Sequence, residues 1–95
     1  MEFIMNVEDT LAQRGKVHGD YTESAIVKDE ILAAIECTPN WHKMTPGGRE
    51  ALRMIVEKIG RIMVGDWKFA DHWHDIAGYA TLMENEIHQY AKGEH

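Results

Sequence analysis

The chain reads as an all-α protein, a four-helix bundle formed by one domain over residues 1–95. Three observations predict this. Apolar residues recur at helical rather than alternating spacing in the long patterned segments. Cap and stop residues punctuate the chain at intervals that suit helices. Strand-like alternation is nearly absent, and no repeat, low-complexity tract or linker divides the sequence.

Each element follows from its punctuation. Asn6 caps a first helix, with Glu8 and Asp9 in its first turn, where the helix dipole favours anions. That helix runs to Arg14 and stops at Gly15, and Lys16 to Tyr21 reads as a loop. A second helix opens at Thr22 or Ser24, carries Ile26, Leu32, Ala33 and Ile35, and ends near Cys37. Thr38-Pro39-Asn40 breaks it, and Trp41 to Met44 form a bridge. Thr45 as a cap and Pro46 at the first helical position predict a third helix reaching Val64. Its apolar stripe is Leu52, Ile55, Ile59 and Ile62, and Gly65-Asp66 ends it. The fourth helix starts near Phe69 or Ala70 and runs to about Lys92, with Gly93 following. Its stripe is Phe69, Trp73, Ile76, Ala80, Met83 and Ile87.

Size and charge narrow the function. A chain of 95 residues buries only a thin core, so packing against a second copy adds welcome burial. The formal net charge of −6 argues against binding a nucleic-acid duplex, which needs a basic footprint. It leaves nucleotides open as ligands, because a divalent cation reverses the local sign. No stretch is long and apolar enough to span a membrane, and the start MEFIMNVEDT lacks the basic region of a secretory signal. Cys37 as the single cysteine fits a reducing cytoplasm, and its place at the end of an apolar run predicts a buried, inert thiol.

The charged residues of the last two helices carry the chemistry. Glu50, Arg53, Glu57 and Arg61 share one face of the third helix, with Glu57 placed to pair with Arg61 one turn later. That pattern fits a salt-bridged solvated face, and Lys58 beside the apolar stripe fits a snorkelling stem. Asp71 and Asp75 stack one turn apart on the fourth helix, and two such carboxylates repel unless a cation or basic group joins them. The dipole at the helix start accounts for Asp71 alone. Six histidines raise the question of zinc, but His72 and His74 lie on opposite sides of a helix and no HExxH or CxxC pattern occurs. Gly78 inside the fourth helix predicts close approach of another helix or a ligand. Gly19-Asp20-Tyr21 reads either as a turn or as an aromatic lid beside a base, and Trp41 and Trp67 as exposed loop residues.

Three strings, HGDY, EALRMIVEKIGRI and GDWKFADHWHDIAGYATL, resemble a small family of phage and prophage proteins of unassigned function. That family is similar to a branch of the MazG-like all-α NTP pyrophosphatase superfamily, over about residues 8–86. The resemblance implies a dimeric bundle in a bacterial cytoplasm that uses Mg²⁺ or Mn²⁺ to release pyrophosphate from a nucleoside triphosphate. Carried over, it implies Glu50, Asp71 and Asp75 as metal ligands, Glu57 as an auxiliary acid, and Lys58 and Arg61 as phosphate contacts. Arg53 stands where the superfamily pattern has an acid three residues after Glu50. The alternative is a non-catalytic protein that binds and modulates a host factor through its acidic surface.

Overall fold

A computed structural model describes residues 7–93, which form four α-helices, one short 3₁₀ turn and no strand. The expected cap at Asn6 lies outside the described residues. Helix α1 spans Val7–His18, α2 Tyr21–Glu36, α3 Pro46–Val64 and α4 Ala70–Ala91, with the turn at Trp41–Lys43. No helix among the described residues is long and apolar enough to cross a membrane.

The helix ends are set by local hydrogen bonds. Thr45 accepts from Gly48 N–H at 3.1 Å and opens α3 where the sequence places it. Asp20, rather than Thr22 or Ser24, opens α2, its carboxylate accepting from Glu23 N–H at 2.9 Å. Helix α1 continues through Gly15, because one helical glycine costs only about 1 kcal/mol and does not end a helix by itself. Its stop is Gly19, at φ +79°. That left-handed conformation suits a residue without Cβ.

Gly19 also makes the tightest join in the molecule. A Cβ placed on it would lie 2.6 Å from the Val64 carbonyl carbon and 2.7 Å from Gly65 N. A Cβ on Gly65 would in turn meet Gly19 N at 2.5 Å. The α1–α2 corner therefore rests backbone on backbone against the α3–α4 corner. Asp66 N–H donates to Val17 O across this join at 2.9 Å.

Helix α3 is the spine, with α2 and α4 packed antiparallel on its two sides and α1 touching its C-terminal half. The α2 approach is closest at Gly60, where an added Cβ would stand 2.9 Å from Ser24 O. The array is extended, 58 × 30 × 23 Å with a radius of gyration of 16.8 Å. A closed globule of this length has a radius of gyration of about 13 Å. Trp41, Ala51, Val56 and Ile62 are the buried apolar residues among those described.

Four expectations change here. Trp41 is only 5 % exposed, because the 3₁₀ turn folds its ring beneath the Arg53 guanidinium, 5.3 Å from the ring centroid. Trp67 is exposed as expected. Cys37 is exposed, at the C-cap where α2 ends. The α4 stripe is covered on one edge only: Phe69, Ile76 and Met83 are half-buried, while Trp73, Ala80 and Ile87 are exposed. Nothing lies within 4 Å of a Cβ built on Gly78, so the close approach occurs at Gly60 instead.

Two glycine substitutions test this account by urea denaturation. Gly19→Ala meets backbone and a left-handed φ together and is expected to cost at least about 2 kcal/mol. Gly78→Ala meets open space and is expected to gain up to about 1 kcal/mol from helix propensity. Equal tolerance of both would contradict the corner contact.

Candidate functional site

The antiparallel packing of α3 and α4 decides which charges meet. Lys58 crosses to Asp75, Nζ to Oδ2 at 3.0 Å, with the lysine side chain only 14 % exposed. This hydrogen bond holds the Asp75 carboxyl below the usual carboxylate range. Glu57 turns to the other side and pairs with Lys28 of α2 at 3.5 Å. The expected Glu57–Arg61 pair is therefore not formed, because Glu57 reaches the neighbouring helix before its own next turn. Glu50 pairs with Arg53 at 3.2 Å. Asp71 is exposed in the first turn of α4, where the dipole favours it.

These acids do not gather into a metal site within one chain. Glu50 is eight residues from Lys58, and hence ~12 Å along the axis from the turn that meets Asp75. No group of three or more His, Cys, Asp or Glu side chains that could hold a metal occurs among the described residues. Glu50, Glu57 and Asp75 each already hold a side-chain cation. The residues present do not fit a Mg²⁺ or Mn²⁺ centre, which needs several oxygens on one ion.

The corner of the fold instead builds two features that span elements. The first is a pair of histidines. His18 at the end of α1 and His72 in α4 meet through Nδ1 and Nε2 at 3.0 Å. Phe69 packs edge-on to both rings, with centroids 5.8 and 5.0 Å away. His72 is 2 % exposed, and burial lowers its pKa, helped by Lys58 and Arg61 and opposed by Asp75 and Asp71. Burial also lowers that of His18, helped by Arg61, His72, Arg14 and Lys58. One ring donates N–H to the bare nitrogen of the other. Two imidazolium rings would point donor at donor, so the pair excludes double protonation.

The second feature is a cleft of about 510 Å³ between α1, the start of α2 and the C-terminal half of α3. Arg14, Lys28 and Arg61 line it as cations, Asp20 and Glu57 as anions. Among the described residues no carboxylate comes within ion-pair distance of Arg14 or Arg61. Tyr21, 86 % exposed, stands at the mouth. Of the residues expected in the site, the cleft takes in Glu57 and Arg61, while Lys58 and Asp75 belong to the α3–α4 seam. Arg14 and Lys28 carry no local motif. Only the folding back of α1 and α2 over α3 brings them to Arg61.

The architecture and cleft thus define an all-α protein with a local cluster of cations on an acidic chain. Comparison with protein-family models, curated proteins and solved structures finds no match.

The histidine pair predicts a pH dependence of stability. An unfolded histidine titrates at 6.5, and both folded rings titrate lower. The unfolded chain thus binds more protons just below that pH. Stability is complete above about 6.5 and falls as pH drops toward the folded values, by at most ~1.4 kcal/mol per pH unit for each ring. Urea midpoints measured from about pH 8 down to pH 5 are expected to decline on the acid side. A flat profile there would contradict an uncharged pair with His72 buried and His18 half-buried.

Proposed function

We propose that the protein is a nucleotide-binding protein of the MazG-like all-α class, of phage or prophage origin, acting as a homodimer in the bacterial cytoplasm. The observation that supports the binding reading is the disposition of cations on α3. Arg61 carries no carboxylate partner among the described residues, in a chain of net charge −6, whereas Lys58 one turn earlier is held by Asp75. Unpartnered guanidinium groups recognise phosphate oxygens well, because their forked N–H donors match the oxygen spacing.

Pyrophosphohydrolysis is the activity that the resemblance implies. In one chain Glu50 stands well away from Asp71 and Asp75, which lie one turn apart on α4, so hydrolysis requires a further acid from a second copy, whereas nucleotide binding does not. The homodimer reading is supported by the uncovered edge of α4. Trp73 is 53 % exposed there, and Ile87 lies on the same side. A second copy seated on this edge would close the layer that the extended array leaves open. Capture of a host factor is the second reading, favoured by exposed Leu82 on the opposite side of α4 from that stripe.

Calorimetric titration with a panel of nucleoside triphosphates, beside a pyrophosphate-release assay with Mg²⁺ or Mn²⁺, tests the reading. Saturable binding is expected, with a dimer mass in sedimentation equilibrium. Turnover abolished by Asp75→Asn would add catalysis at the expected acid. Absence of binding across the panel would overturn the nucleotide reading and leave the host-factor reading.

A further inference from the structure

The cleft beneath α1 joins features that the acids of α3 and α4 do not. Its cations come from three different helices: Arg14 from α1, Lys28 from α2 and Arg61 from α3. Cations from three helices converging on one half-open cleft suit a compact polyanion, whereas a long nucleic acid or an acidic peptide calls for a stripe. The volume of about 510 Å³ lies in the range that holds a drug-sized or nucleotide-sized ligand.

The two anions at the cleft are both engaged. Asp20 spends its carboxylate as the cap of α2, accepting from Glu23 N–H at 2.9 Å. Glu57 faces Lys28 across a loose 3.5 Å contact. A phosphate oxygen can take over that ammonium. Arg14 and Arg61 are left to meet an incoming anion directly. Gly15, Ser24 and Ala25 also line the cleft and leave a ligand room to approach, and Leu11 adds apolar surface beside them. Tyr21 at the mouth offers a ring face to solvent.

We propose that this cleft is the phosphate-binding site, in which Arg14, Lys28 and Arg61 bind the phosphate chain of a nucleoside triphosphate and Tyr21 stacks on its base, with no metal ion held by the protein's own acids. The inference rests on the nucleotide reading above and assigns it a place. Phosphate charge is then met by guanidinium and ammonium groups, so binding survives removal of divalent cations. Recognition divides in two: the cations read the phosphates, and the tyrosine reads the base.

The test is calorimetric titration of the intact chain with ATP and, separately, with sodium tripolyphosphate, each in excess EDTA and again with Mg²⁺. Arg14→Ala and Arg61→Ala are expected to weaken both probes about tenfold or more, as loss of a charge-assisted contact does. Tyr21→Ala is expected to weaken ATP by about tenfold and leave tripolyphosphate unchanged, as loss of stacking does. Asp75→Asn is expected to change neither, and circular dichroism confirms that each variant folds. ATP binding that needs Mg²⁺, fails in Asp75→Asn and persists in Arg14→Ala would overturn the cleft assignment while preserving a nucleotide function. Failure of both probes under both conditions would overturn the cleft and the nucleotide reading together.

Discussion

The backbone-on-backbone contact between Gly19 and Gly65 decides the rest of the arrangement. Two helical corners approach as closely as they do because neither residue carries a Cβ at the join. That approach turns α1 across the end of α3, sets His18 on His72, and brings Arg14 to the cleft where Arg61 lies. Any side chain at the join would lift the α1–α2 corner and open both features at once. The energy of the contact is small beside its consequence, since it fixes position rather than burying apolar area.

Helix α3 distributes its charges from this frame. It sends Lys58 to Asp75 on one side and Glu57 to Lys28 on the other. The two pairs tie α3 to both neighbours and leave Arg61 between them without a carboxylate. Both are partly exposed, so solvent screening keeps their contribution to stability modest. Their larger effect is geometric, because they occupy acids that a divalent cation would otherwise use. The chain thus carries a cleft lined by three cations and two carboxylates, with its remaining acids dispersed.

Local signals were legible where the physics is local. Thr45 and Pro46 mark the start of α3, because a cap and a proline act within one turn. Helix α1 runs past Gly15 because a helical glycine is a weak stop, and the decisive Gly19 acts through a tertiary contact. Periodicity located apolar faces but could not say what covers them. Hence Trp73 and Ile87 face outward, Trp41 is buried by a turn that has no periodicity, and close packing falls at Gly60 rather than Gly78. At the site, spacing puts Glu57 and Arg61 on one face of α3 and suggests only an ion-paired surface; the resemblance alone singles them out. Arg14 and Lys28 come from separate helices without a motif, and His18 and His72 are 54 residues apart. Their meeting is a property of the topology.

The most direct test of this account is a heteronuclear NMR titration of the intact chain with ATP in excess EDTA, following backbone amides and arginine side-chain N–H signals. The account predicts the largest shifts at Arg14, Tyr21, Lys28 and Arg61, with Glu50, Asp71 and Asp75 nearly still. Shifts centred on those three acids, and seen only after Mg²⁺ is added, would contradict it.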